Sequence, residues 1–202
     1  MSNEEWNFLQ PVFSSEEVIK FRKKLNKVII GYGGKLEPSQ LKIIKQAGWI
    51  AVPAESGDHF CEEDRDKLLQ AILERQNREV IAVTFEELNN FPTAFIVPAT
   101  AEAIEEFARK CGHFWFALYA GEPDWVIVCT KLDYLVITSE PSFVSQFLGC
   151  EIDEGFASFY EFASSYSETD SIRKYLLLAY EQLWHNYPQI KPGEIIELLP
   201  GQ

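Results

Sequence analysis

Three apolar segments in the middle of the chain, separated by short polar turns, constrain the fold more than any other feature. They cover residues 113–119, 125–130 and 134–138. This spacing predicts an antiparallel β-meander. The first two segments do not alternate apolar with polar residues, which is typical of strands that are shielded from water on both faces. We therefore expect the meander to lie inside the protein, with other layers on its two sides.

The chain around the meander contains patterns for helices and for further strands. Helical periodicity, caps and breakers predict helices over residues 15–25, 38–47, 62–76, 101–111, 141–148, 155–164 and 171–187. Short apolar or β-branched runs predict strands over residues 28–30, 49–52, 80–84 and 95–97, and an edge strand or docked tail over residues 195–199. Pro53 is expected to end the second of these strands, because proline lacks the N–H that a central strand donates.

Alternating strands and helices in the first half favour a crossover arrangement, in which a helix packs on one face of the sheet. We therefore predict an α/β or α+β fold with a mixed sheet, parallel in its N-terminal part and antiparallel in the C-terminal meander. Helices should cover both faces. Residues 1–202 are expected to form a single globular domain, with one weak boundary near Asn89 and Asn90.

The charge balance restricts the partners that the chain can have. Its 31 acidic and 18 basic residues give a formal net charge of −13. The resulting field repels phosphate backbones and anionic lipids, so we expect neither nucleic acid nor a membrane surface as a partner. A basic protein partner is compatible with this charge.

Apolar runs and cysteines indicate the compartment. No apolar run approaches the roughly 20 residues of a membrane span, and the first residues show no secretory pattern, so we expect a cytoplasmic protein. The four cysteines are widely scattered, at positions 61, 111, 129 and 150. This spacing favours reduced thiols over a disulfide framework or a zinc site, and we expect neither a metal nor a cofactor.

The densest group of reactive side chains lies at residues 58–64, just before and inside the start of a predicted helix. Cys61 is the candidate nucleophile and His59 the candidate base, because a helix N-terminus and a protonated histidine both lower a thiol pKa. The neighbouring carboxylates favour the protonated thiol instead. The alternative interpretation is a solvated helix cap rich in acids.

Two other patterns offer weaker evidence for chemistry. Gly31, Gly33 and Gly34 follow a predicted strand and precede a helix, but the spacing departs from the dinucleotide fingerprint, and no phosphate-binding Gly-Lys-Ser/Thr ending follows. Pairs of adjacent acids, such as Glu105 and Glu106, are interpreted as exposed surface rather than as an acid and a base.

No motif identifies an activity, so function is inferred from the absence of a coherent catalytic set together with acidity and abundant aromatic residues. The leading hypothesis is a non-catalytic cytoplasmic interaction or regulatory protein that binds another protein. The alternatives are a cysteine-dependent hydrolase or transferase that uses Cys61 and His59, and a small-ligand-binding protein. A homodimer is also expected, because the last helix and the meander present more apolar surface than one subunit covers.

Overall fold

The computed structural model describes residues 6–30, 42–43, 48–56, 60–84, 86, 88 and 91–185. Its helices are α1 (Ser15–Leu25), α2 (Glu62–Glu74), α3 (Ala101–Cys111), α4 (Pro141–Leu148), α5 (Ile152–Ser165) and α6 (Ser171–His185). Its strands are β1 (Gln10–Pro11), β2 (Ile29–Ile30), β3 (Lys42–Ile43), β4 (Ile50–Glu55), β5 (Glu79–Thr84), β6 (Ala94–Pro98), β7 (Phe116–Tyr119), β8 (Val126–Cys129) and β9 (Tyr134–Ser139).

The main sheet has seven strands in the order β1-β6-β5-β7-β8-β9-β4, and β2 pairs separately with β3. All strand pairs in the described part of the chain are antiparallel. The α+β class is therefore confirmed, whereas the expected parallel part of a mixed sheet is wrong. The prediction of a single domain over residues 1–202 stays a prediction, and Asn89 and Asn90 lie outside the described residues.

The connection from β6 through α3 to β7 explains why parallel pairing was expected. Both β6 and β7 pair antiparallel with β5, so they run in the same direction, and α3 makes the crossover between them. The predicted crossover unit therefore exists, but β5 occupies the position between its two strands. This insertion converts two parallel strands into members of an antiparallel sheet.

The meander is confirmed: β7, β8 and β9 pair in sequence, and every residue of these three strands is buried. Helices lie on both faces, as Phe116 and Tyr119 show. These two residues are three positions apart on β7 and point to opposite faces. The Phe116 ring contacts Phe107 of α3 with centroids 5.3 Å apart, whereas the Tyr119 hydroxyl donates to the Phe21 carbonyl oxygen of α1 at 2.8 Å.

Strand β4 continues through Pro53, where the sequence predicted its end. Pro53 pairs with Val136 of β9, and β4 is the last of the described strands on its side of the sheet. An edge strand tolerates proline because only one of its sides needs ladder hydrogen bonds. The prediction that Pro53 ends the strand was wrong because it treated β4 as a central strand. Proline is excluded only where both sides of a strand form ladder hydrogen bonds.

The segment around Lys42 also differs from the sequence prediction. Residues 38–47 were expected to form a helix, but Lys42–Ile43 form β3 and pair antiparallel with Ile29–Ile30. The rest of the expected helix, the glycine motif at positions 31, 33 and 34, and residues 195–199 lie outside the described residues.

Helix ends follow local sequence signals. Ser14 caps α1 by accepting the Glu17 N–H at 3.3 Å, and Thr100 caps α3 by accepting the Ala103 N–H at 3.2 Å. Gly149, with φ of 73°, ends α4 in the left-handed conformation that glycine adopts without strain. These caps fix where the helices that surround the sheet begin and end.

The N-terminal segment is attached to α3 by Glu106. This carboxylate accepts the backbone N–H groups of Asn7, Phe8 and Leu9 at 3.1, 2.7 and 3.0 Å. Lys110 forms an ion pair with it at 3.0 Å. The interpretation of Glu106 as exposed surface is wrong, since the residue is only 3% exposed.

One continuous hydrophobic cluster includes buried residues from Leu9 to Trp184. Within the described ranges, none of the six helices combines the length and the apolar character of a membrane span.

Candidate functional sites

Cys61, the candidate nucleophile, is the N-cap residue of α2 and is partly exposed. The preceding residue, Phe60, adopts a left-handed backbone conformation with φ of 71° and has its ring buried against Phe107 of α3. His59, the candidate base, lies outside the described residues. The structure therefore places the thiol but does not test whether it meets an imidazole.

The Cys61 thiol has a polar partner in Asp64, in the first turn of α2. The Cys61 thiol donates to Asp64 Oδ2 at 3.4 Å, and the Ser56 hydroxyl donates to the same oxygen at 2.8 Å. Ser56 and Asp64 are both buried. One carboxylate oxygen of Asp64 thus accepts two hydrogen bonds. Because Cys61 is the donor in one of them, its sulfur is protonated in this arrangement.

The pKa directions agree with a protonated thiol. Burial and the charge of the Asp64 carboxylate raise the pKa of Cys61 above its ordinary value of 9.0. Burial also raises the pKa of Asp64, although hydrogen bonds from Ser56 and Cys61 oppose this effect. A nucleophilic cysteine needs a lowered pKa, so this environment opposes the chemistry expected from the helix N-terminus.

A pocket of about 480 Å³ surrounds this cluster. It lies between the end of β4, the start of α2, the end of α4 and the first half of α5, and its lining residues are Ala54, Glu55, Ser56, Cys61, Glu63, Asp64, Lys67, Phe147, Leu148, Cys150, Gly155, Ser158 and Phe159. Lys67 forms an ion pair with Glu63 at 2.7 Å. The remaining carboxylates, at Glu55 and Asp64, give the pocket an acidic lining.

The pocket combines apolar walls with a few polar groups, which is the usual composition of a small-molecule site. Cys150, its second thiol, also has a pKa raised by burial. In the part of the chain that the structure describes, no three His, Cys, Asp or Glu side chains are grouped in a way that suits a metal ion. Among the described residues, the pocket brings together thiols, hydroxyls and carboxylates but no cysteine–histidine pair.

A second candidate site lies at the N-terminal side of the molecule, where large apolar side chains face solvent. Phe8 is 50%, Phe13 is 77% and Ile19 is 52% exposed. Phe13 and Ile19 line a groove of about 440 Å³ between α1 and the segment that leads into β6. The other lining residues are Val12, Ser15, Val18, Arg22, Leu88, Phe91, Pro92 and Thr93.

We call this the N-terminal groove. An adjoining depression shares Ile19 with it and includes Lys20 and Lys23. The sequence indicated a protein partner through its abundant aromatic residues but did not locate this surface. Exposure depends on which segment of the fold covers a residue, and the sequence pattern around Phe13 does not reveal that.

The two features that suggested a homodimer are largely covered within one chain. The meander is buried on both faces, and α6 packs on α5, where Trp184 contacts Phe156 with ring centroids 5.1 Å apart. Tyr175 is the one large apolar residue of α6 that is exposed in the described residues. The homodimer stays a prediction with less surface to support it.

No protein-family model, curated protein or solved structure matches the chain.

Proposed function

We propose that the chain is a non-catalytic cytoplasmic protein that binds another protein through the N-terminal groove. The observation that carries this proposal is the exposure of Phe13 beside a preformed apolar groove. Aromatic side chains that enter or flank such grooves contribute a large share of binding energy in protein interfaces.

The local framework of the groove supports a binding role. Residues before and after Phe13 are fixed: Val12 donates its N–H to the Ala94 carbonyl oxygen at 2.9 Å, and Ser14 caps α1. Phe91, on the opposite wall, packs against Phe95 of β6 with centroids 5.8 Å apart. The groove is therefore preorganised, which reduces the entropy lost when a partner binds.

The cytoplasmic part of the proposal is supported by the cysteines. All four are free thiols, and two of them are partly exposed, as expected for a protein of a reducing compartment.

An affinity capture experiment tests the proposal. The full chain, a Phe13→Ser variant and a Leu73→Ser variant are immobilised, and the proteins retained from an extract of the native host are quantified. Leu73 is 54% exposed on α2 and serves as the matched control. We expect at least one protein to be retained by the wild type and by Leu73→Ser but lost with Phe13→Ser. Retention that is equal in all three, or absent from all three, contradicts the proposal.

Small-ligand binding is the second candidate function, and the pocket around Asp64 favours it. A thermal-shift screen of metabolites against the wild type would show a ligand by the stabilisation that binding to the folded state produces. Ser158 is exposed at the pocket, so Ser158→Trp fills it without entering the core. A ligand of this pocket must lose its thermal shift in the Ser158→Trp variant.

A further inference from the structure

We infer that the partner segment received by the N-terminal groove is both apolar and acidic, with one of its carboxylates bound by Arg22. This inference rests on the proposed function and adds the chemistry of the partner. It depends on how the cations of α1 are distributed between internal ion pairs and the groove.

The Arg22 side chain lines the groove among apolar residues. Its Nε is buried and has no hydrogen-bond partner in the structure, and none of the described residues forms an ion pair with Arg22. Because this Nε is enclosed, a partner's acceptor meets the terminal NH2 groups of the half-buried Arg22 side chain instead. A carboxylate is the side-chain acceptor that matches the guanidinium best, because two parallel N–H groups can bind its two oxygens.

The other cations of α1 divide into two sets. Lys24 and Lys27 are occupied by Glu122, at 2.9 and 3.1 Å. Lys20 and Lys23 line the depression next to the groove, and neither is paired with any residue that the structure describes. The cations near the groove are thus the ones that the protein leaves available to a partner.

The acids of α1 fix where a partner carboxylate can bind. Glu16 and Glu17 lie in the first turn of the helix and also line the depression. A partner carboxylate is repelled there and attracted one to two turns further on, beside Arg22 and Lys23. The apolar part of the partner then falls near Phe13, at the N-terminal end of the groove.

The net charge of −13 does not reverse this conclusion. At physiological ionic strength, charges more than about 8 Å apart are largely screened when they are exposed. The charges that decide what docks are therefore those within the groove and its rim. The net charge alone would favour a basic partner, but Arg22, Lys20 and Lys23 would repel a basic segment at this surface.

Peptide selection on the full chain tests the inference. A phage library of random peptides is selected against the immobilised wild type, and enriched peptides are synthesised and titrated by fluorescence anisotropy. We expect enriched peptides to carry Asp or Glu close to large apolar residues. Phe13→Ser and Arg22→Gln should each weaken binding about tenfold. Arg22→Lys, which keeps the charge but loses the planar fork, should give an intermediate loss.

The controls are Leu73→Ser and Arg78→Gln, two exposed positions on or just after α2 that should leave affinity unchanged. Thermal unfolding of every variant confirms that it is folded. If the enriched peptides are neutral or basic, and their binding is weakened by Phe13→Ser but not by Arg22→Gln, the inference of an acidic partner is wrong and the proposed function still stands. Peptides that do not depend on Phe13, or a selection without enrichment, overturn both.

Self-association is the remaining outcome. If light scattering shows that the wild type is a dimer and that Phe13→Ser is a monomer, a second copy of the chain occupies the groove, and the inference of a separate acidic partner is wrong.

Discussion

The Glu106 carboxylate accepts the Phe8 backbone N–H at 2.7 Å across 98 positions of sequence. Together with the N–H groups of Asn7 and Leu9, this contact anchors the segment that precedes β1. Trp6 also packs against α3 through Lys110, whose Nζ lies 4.4 Å from the indole ring centre. Glu106 and the Lys110–Trp6 contact thus attach to α3 the N-terminal segment that carries Phe8 and leads to Phe13.

Replacing Glu106 by Gln should lower the free energy of unfolding by about 2–3 kcal/mol, because hydrogen bonds to a buried charged acceptor are among the strongest in proteins. The measurement is urea unfolding at neutral pH. Glu105→Gln, an exposed neighbour on the same helix, should change stability by less than about 0.5 kcal/mol. Equal effects of the two substitutions would show that the anchor is not formed.

The same residue predicts a pH dependence. Burial opposes ionisation of Glu106, but the hydrogen bonds from Phe8, Lys110, Asn7 and Leu9 outweigh it and lower its pKa from 4.5 to about 2. Since the folded-state pKa is the lower one, this stabilisation is complete above about pH 4.5 and is lost as the pH falls to about 2. The difference in unfolding free energy between wild type and Glu106→Gln, measured from pH 7 to pH 2, should shrink over this interval. A constant difference would contradict the lowered pKa.

Tyr119 and Tyr134 form a matched pair for testing buried hydroxyls. Both are fully buried in the meander, but Tyr119 donates to Phe21, whereas the Tyr134 hydroxyl has no hydrogen-bond partner among the residues that the structure describes. Tyr119→Phe should destabilise the protein by about 1 kcal/mol, because it removes a satisfied buried hydrogen bond. Tyr134→Phe should be neutral or stabilising. Thermal and urea unfolding measure both, and the reverse order would refute the assignment.

Cys61 should react slowly with iodoacetamide. Its raised pKa leaves less thiolate at neutral pH than a free thiol has, and the rate depends on the thiolate. A Cys150→Ser background isolates the signal, since Cys111 and Cys129 are buried. Asp64→Asn should accelerate the reaction, because it removes the neighbouring charge. Alkylation of Cys61 faster than that of a model thiol would revive the hypothesis of a nucleophile activated by His59.

Arg75 connects three parts of the structure at the end of α2. It pairs with Asp124 at 2.5 Å and with Glu140 at 3.0 Å, and its guanidinium lies 4.5 Å from the Phe143 ring centre. Arg75→Lys should destabilise the protein by about 0.5–1 kcal/mol, since lysine cannot serve both carboxylates and the ring in this geometry. Arg78→Lys, at an exposed position nearby, is the control. The loss of stability caused by Arg75→Lys relative to Arg78→Lys should be smaller in 1 M salt. If the two variants are equally stable at low salt, the ion pairs of Arg75 do not contribute to stability.

Local features of this fold could be predicted from sequence. Helices α1 and α3 begin and end where the sequence predicted, over residues 15–25 and 101–111, and the meander strands are buried on both faces, because these properties depend on neighbouring residues. The position of β5 could not be predicted. It depends on long-range pairing with β6 and β7, for which hydrophobic periodicity contains no information.

At the candidate sites too, the sequence predicted local features but not contacts between distant parts of the chain. Cys61 was placed correctly at the start of α2, but the burial that raises its pKa depends on how the tertiary fold packs around it. Glu106 was missed because the backbone N–H groups that it binds belong to residues 97–99 positions earlier in the sequence. A signal existed: Glu106 lies three positions after Ala103 and next to Phe107, on the buried side of an amphipathic helix.

Strand β4 pairs along its whole length with β9, from Ile50 with Ser139 to Glu55 with Tyr134. A ribosome that has finished β4 must therefore translate about eighty further residues before β9, its partner among the described strands, has emerged. During that interval β4 offers unpaired backbone groups to other nascent chains. Pro53 withholds one N–H from such contacts, so a Pro53→Val substitution that folds well in isolation should raise aggregation during synthesis.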